Sequence, residues 1–232
     1  MKILVLTSRL PWPLDKGDKL RAYYQMRELA KNHEVYLFCL TTKNEQYQNG
    51  KLSGLSAFTQ GIKIHHMSAF NRLTRLAWAP LSSRPFQVHW FYQRNAKRAL
   101  DEWVAEIQPD VIYCQLVRMA AYVQNMHRIP RVIDYMDALS AGIARQSQLA
   151  PKFKRWLYRI EYRRLKIYET KVFDYFDGKI IISNADRKLI QHAENHLINI
   201  IPNGVDTTFF KPLSLPQIRK GPPILLFSGN MS

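Results

Sequence analysis

Short apolar runs rich in β-branched residues recur along the chain at positions 3–6, 35–40, 62–65, 111–114, 131–133, 179–182, 198–201 and 224–227. Within most of these runs apolar residues follow one another without alternation, so both faces of the segment need covering. Ten or more residues, many with helical spacing, separate successive runs. Hairpin turns use about two to five residues, whereas parallel strands need a long crossover. The pattern therefore predicts an α/β chain with a doubly wound, parallel, Rossmann-like sheet.

Asp18 is placed to cap the first crossover helix, with Leu20, Tyr23, Tyr24, Met26, Arg27, Leu29 and Ala30 as its core-facing stripe and an end near Asn32 and His33. Residues 44–60, polar and containing Gly50 and Gly54, read as a mobile connection. The longest helix is expected over 151–176, where Phe153, Trp156, Leu157, Ile160, Leu165, Ile167, Tyr168 and Val172 recur at helical intervals. After position 201 comes Pro202-Asn203-Gly204-Val205-Asp206, then Pro212, Pro216, Pro222 and Pro223, which is linker composition. The strand at 224–227 has no sheet of its own to join. This divides the chain into a first domain at 1–201, a linker at 202–223, and at 224–232 the opening strand of a second domain that the chain does not contain.

Thirty-four Lys and Arg against eighteen Asp and Glu give a net charge of +16, which favours an anionic partner: nucleic acid, a lipid surface or a phosphorylated substrate. The cations are spread over several segments with no nucleic-acid motif, so nucleic acid is not the expected partner and stands only as a further alternative. The basic aromatic segments at 72–91 and 152–171 could lie on an anionic membrane. Amphipathic helices usually pack, however, and the alternative puts their aromatic stripes in the core and their charges in water. No Walker loop, dinucleotide fingerprint or zinc-spaced Cys/His cluster occurs. Cys39 and Cys114 sit in apolar runs and read as core thiols of a reducing compartment. The apolar run at 3–6 is too short for a signal peptide and no window approaches the ~20 residues of a membrane span, so a cytoplasmic chain is expected, or a peripheral one on the inner face of the cytoplasmic membrane.

Parallel sheets bind ligands beyond the carboxyl ends of their strands, so the loops there carry the candidate site residues. After the first strand, Gly17 allows close approach to a helix start, Asp18 lies beside it, and Lys19 and Arg21 add positive charge. A phosphate or sugar hydroxyl could dock there, or the segment could be a turn with solvated cations. Gln115 and Arg118 follow the fourth run and are either substrate contacts or surface residues. Asp134 and Asp137 follow the fifth. Asp137 is either a helix cap or a general base that takes a proton from an acceptor hydroxyl, with Asp134 in support. Glu161 and Glu169 are expected to form salt bridges on their helix with Arg163, Arg164 and Lys171.

Residues 11–21, 134–140, Ile182-Ser183, Pro202-Asn203-Gly204-Val205-Asp206 with Phe209 and Pro212, and the closing 227–231 together resemble the N-terminal part of GT-B glycosyltransferases of family 4, in particular bacterial exopolysaccharide-type, PEP-CTERM-associated sugar transferases. The resemblance implies an acceptor-binding N-terminal domain, a nucleotide-sugar-binding C-terminal domain, and transfer in the cleft between them to a lipid- or polysaccharide-linked acceptor. It implies no metal and no cofactor, the nucleotide-sugar being a substrate. Gly17 and Asp18 would face the donor phosphates or the acceptor, Asn203 and Gly204 would mark the domain crossover and contact substrate there, and Asp137 would lie near the catalytic loop, where many relatives carry histidine. A chain holding only this half implies a second reading, a catalytically incomplete module that binds acceptor, membrane or partner.

Overall fold

The computed structural model describes residues 1–42 and 52–211. Seven parallel strands form one sheet in the order β3-β2-β1-β4-β5-β6-β7: β1 (Lys2–Thr7), β2 (Glu34–Thr41), β3 (Gly61–His66), β4 (Val111–Gln115), β5 (Arg131–Asp134), β6 (Gly178–Ile181) and β7 (Asn199–Ile200). All seven lie within the span expected for the first domain, each within two residues of its apolar run. The expected strand at 224–227 lies outside the described residues.

The unbroken apolar runs have a simple cause. Side chains alternate faces along a strand, and in β1 Leu4 and Leu6 enter one core cluster while Ile3 and Val5 enter another on the opposite face. The first face is covered by α5 (Arg94–Ile107) and α7 (Lys152–Tyr175), which contribute Leu100, Trp103, Tyr168 and Val172 among others. The second is covered by α1 (Gly17–Leu29) through Met26, and by Leu55 of the one-turn helix α2 (Ser53–Ser56). Cys39 and Cys114 are free, buried, and divided between the two clusters, and burial pushes both thiols well up. Of the stretch expected to be a mobile connection, positions 52–60 hold α2, and the rest up to 51 falls outside the described residues.

Helix α1 departs from the expected stripe. Its buried residues are Arg21, Ala22 and Met26, while Leu20 faces solvent. The helix is rotated so that Arg21 reaches a buried carboxylate, an ionic demand that apolar spacing does not encode. Nor does Asp18 cap it: Lys16 is the N-cap, without a side-chain bond, and Asp18 pairs instead with Arg9 at 3.1 Å.

Between β3 and β4 the chain also forms α3 (Ala69–Trp78) and α4 (Phe86–Phe91), and after β5 it forms α6 (Leu139–Leu149) before α7. The expected salt bridges of Glu161 and Glu169 are replaced by something else. Glu161 accepts the backbone N–H groups of Phe86 at 2.6 Å and Gln87 at 3.0 Å, and Glu169 accepts that of Ser140 at 3.0 Å. Each carboxylate thus satisfies the unpaired donors at the start of another helix, α4 and α6 respectively. Arg164, one of their expected partners, donates instead to the carbonyls of Ala79 and Pro80.

Burial pushes the Glu169 carboxyl up to about 7. Because the folded chain then holds this proton more tightly than the unfolded chain, the stability linked to Glu169 is complete below about pH 4.5 and is lost as the pH rises through about 7. Glu169→Gln keeps an oxygen to accept the Ser140 amide. In urea melts it should gain on the parent protein between about pH 5 and 8, by on the order of 3 kcal/mol. A stability difference that stays flat over that range would show that Glu169 does not titrate there.

Candidate active site at the carboxyl edge of the sheet

The strand order reverses direction at β1, whose two neighbours are β2 and β4. That switch point opens a crevice between the loops that leave β1 and β4, the usual ligand position in such sheets. A cleft of about 730 Å³ opens on the β2–β3 side of the β1 loop, lined by Ser8, Arg9, Trp12, Lys16, Met67 and Phe91 among others.

Asp134, at the end of β5, organises the floor of this region. Its Oδ2 accepts Arg21 Nε at 2.6 Å, Tyr113 Oη at 2.8 Å and Gln25 Nε2 at 3.2 Å, and its Oδ1 accepts the Met136 amide at 2.9 Å. Arg21 Nη1 continues to Asn203 Oδ1 at 2.9 Å. Asp134 is fully buried and Arg21 nearly so. The expectation that Arg21 contacts substrate and Asp134 assists a catalytic base gives way to a different geometry: the two pair with each other beneath the loops, and Arg21 also anchors the Asn203-Gly204 junction. Buried charges persist only when paired and hydrogen-bonded, which this cluster provides.

The loops above are strained. Leu116, just after β4, has φ 70° and ψ 139°, and Met136, just after β5, has φ 63°, both in territory that non-glycine residues rarely occupy. Asp134 holds both: its carbonyl accepts the Leu116 amide at 2.8 Å and its carboxylate accepts that of Met136. Such strain, on the order of 1–3 kcal/mol per residue, is typically retained where geometry serves a site.

The remaining expected residues gather at the same edge. Gln115 Nε2 donates to the Asp18 carbonyl at 2.9 Å, joining the β4 loop to the first turn of α1. Arg118 donates to Ser8 Oγ at 3.1 Å and stacks over Phe91 at 4.5 Å. Its pKa is lowered to about 10, by burial and then by the nearby Arg9, and it still carries its charge at neutral pH. Lys19 pairs with Asp15 at 2.7 Å on the cleft wall. Gly17 opens α1, and a Cβ built there would meet no atom within 4 Å, so packing within the chain does not demand glycine at that position. Gly204, beside Asn203, likewise faces open space.

Asp137 does not cap α6. Ala138 is the N-cap, and the donors of that helix are met by Glu169. The Asp137 side chain is exposed and bonds to no other described side chain or backbone group, yet its pKa is raised, by burial of its surroundings and then by the Asp186 carboxylate, against the opposing pull of Arg118. Sequence reasoning did not single out Asp186, Arg9 or Ser8 as site residues. Asp186 had a legible signal, the Ser183-x-x-Asp186 spacing of a capping pair, and Ser183 Oγ does accept the Asp186 amide at 3.1 Å.

A family model for Glycosyltransferase Family 4 matches residues 20–209. The chain belongs to this family. The match takes in Arg21, Gln115, Arg118, Asp134, Asp137 and Asn203 and starts just after Lys19. A search of curated sequences finds no match. Among solved structures, the sucrose-phosphate synthase of Thermosynechococcus elongatus superimposes with a TM-score of 0.60 at 11% identity, over 92% of this chain and 51% of that one. A UDP-glucosyltransferase from Polygonum tinctorium, capable of glucosylating indoxyl, gives 0.51 at 11% identity, over 93% and 55%. This family 4 chain spans about half the length of these structures, and the likeness is one of fold: the Rossmann-like N-terminal half of a GT-B enzyme.

Arg21→Ala would leave the Asp134 carboxylate buried without its counter-charge. Unfolding free energy in urea should fall by about 3–5 kcal/mol, and Arg21→Met combined with Asp134→Asn should recover part of that loss. A single-variant loss under roughly 1 kcal/mol, the worth of an exposed pair, would contradict the central role of the cluster.

Proposed function

We propose that this family 4 chain is the acceptor-binding half of a sugar transferase that moves a sugar from a nucleotide-sugar to a lipid- or polysaccharide-linked acceptor in cell-envelope or exopolysaccharide synthesis. The observation that carries the reading is Asp137: a carboxylate relieved of capping, reachable from solvent, raised in pKa, and set on a strained loop at the carboxyl edge of the sheet, within electrostatic reach of Arg118. In the proposed step an acceptor oxygen forms a bond to the anomeric carbon, the bond from that carbon to the donor phosphate breaks, and the acceptor proton passes to Asp137. Arg118, Lys19 and the open start of α1 at Gly17 supply positive potential for phosphate groups on donor or acceptor. Donor contacts from a second domain complete the site in this reading.

A second reading is favoured by the coverage of only 51% of the sucrose-phosphate synthase chain: alone, the 232 residues bind acceptor without transferring sugar. Radiolabel transfer from a nucleotide-sugar panel, assayed with the chain alone and joined to a donor-binding half, separates the two. Transfer by the joined form only is the expected result. Transfer by neither form, despite tight acceptor binding, would leave binding as the sole activity.

In the competent form Asp137→Asn should lower kcat by on the order of 10²–10⁴ without lowering the melting temperature. Asp137 must be ionised to accept a proton, so its raised pKa places the acidic limb of the pH–rate profile above the ordinary carboxylate range. Asp186→Asn removes a charge that raises this pKa and should move the limb to lower pH. A limb that stays put would assign the proton transfer elsewhere.

A further inference from the structure

Helix α3 is inside out. Phe70, Leu73, Trp78 and, just past its end, Leu81 recur at helical spacing on one face, and that face is turned to solvent, with exposures of 73%, 63%, 69% and 82%. Its cations turn the other way: the Arg72 guanidinium stacks over Trp90 at 4.7 Å and that of Arg75 over Tyr92 at 4.8 Å. Single exposed apolar residues are ordinary, but a contiguous exposed face marks an interaction site.

A second exposed apolar face lies where α6 meets α7. Leu149 at the end of α6 and Phe153, Trp156 and Leu157 in the first turns of α7 are also exposed. The outer stripe of α7 continues from Trp156 through exposed Arg159 and Arg163. The bonds from Arg164 to the Ala79 and Pro80 carbonyls, at 2.8 and 3.0 Å, tie the end of α3 to the flank of α7. Of the two alternatives for these segments, inward packing holds for Val88, Leu165 and Tyr168, while Trp78, Phe153 and Trp156 face solvent.

The charge around these faces has one sign. Between Glu45 and Asp101, and again between Asp137 and Glu161, the chain carries Lys and Arg but no acid. The exposed charged residues of these stretches include Arg84, Lys152, Lys154 and Arg159, and apolar faces accompanied by such cations are complementary to an anionic bilayer, where phosphates lie above acyl chains and tryptophan favours the boundary. Nucleic acid would satisfy the cations but leave the aliphatic residues Leu73, Leu81 and Leu157 without a partner.

We propose that α3 and the α6–α7 hairpin dock this protein onto an anionic lipid bilayer, lying on it and not through it. No helix among the described residues is long and apolar enough to cross a membrane. The surface does not rest on the sugar-transfer reading. If both hold, docking serves the cleft, because α3 and α6 leave the same carboxyl edge of the sheet and a lipid-linked acceptor would be presented there.

Vesicle co-sedimentation of the 232-residue chain tests this without any sugar substrate, so its failure is separate from a failure of transfer. Binding should be strong to phosphatidylcholine vesicles containing phosphatidylglycerol, weak to phosphatidylcholine alone, and reduced by salt, with a blue shift of tryptophan fluorescence. Phe70→Ser with Leu73→Ser, and separately Phe153→Ser with Trp156→Ser, should each weaken binding about tenfold or more while leaving circular dichroism and Tm unchanged, since these side chains are already in solvent. Absence of binding to the anionic vesicles, binding undiminished in both variants, or self-association through these faces in place of vesicle binding would overturn the proposal.

Discussion

The Asp134 carboxylate is the constraint around which the carboxyl edge is arranged. Through side chains it joins α1, β4 and β5, and through Arg21 it reaches the Asn203 junction. Its amide-accepting atoms hold both left-handed residues, Leu116 and Met136, in place. A fully buried acid cannot exist without such partners, so one carboxyl group obliges four segments, distant in sequence, to meet. The rotation of α1, which puts Arg21 inward and Leu20 outward, is the local effect of that obligation.

With the floor fixed in this way, the walls of the cleft are free to carry chemistry. Asp137 stands one residue beyond Met136, and the left-handed turn separates its carboxylate from the buried cluster. Glu169 relieves it of capping duty from a different helix. Structural carboxylate and proposed catalytic base are thus three residues apart and opposite in environment: one buried and paired, the other exposed and with a raised pKa. Division of labour between neighbouring carboxylates is set by surroundings and not by residue type.

The sheet was legible in the sequence because burial on both faces removes polar alternation, and that signal is local: β1, β2 and β4 can be read almost to their ends. The long helix was legible for the same reason. What spacing could not disclose were pairings across the chain, such as Arg21 with Asp134 or Glu161 with Phe86, since the separations of these partners carry no period. The stripe of α3 was visible but its direction was not, because a helix pattern tells which residues share a face and not what covers it. At the site, Asp137 and Arg118 could be proposed from loop position alone. Arg9, and the bearing of Asp186 on Asp137, become apparent only when the loops after β1 and β6 are brought to one edge.

Glu161 and Glu169 lie eight residues apart on one rigid helix, a rise of about 12 Å. Each holds the start of a different helix, so α7 acts as a gauge that sets the distance between α4, beside Phe91 of the cleft, and α6, beside Asp137. Substitution on the outer surface of that interval leaves the gauge intact. Insertion or deletion of one residue within it would swing one carboxylate about 100° around the helix and release one of the two. The chain can therefore vary in composition between positions 161 and 169 far more readily than in length.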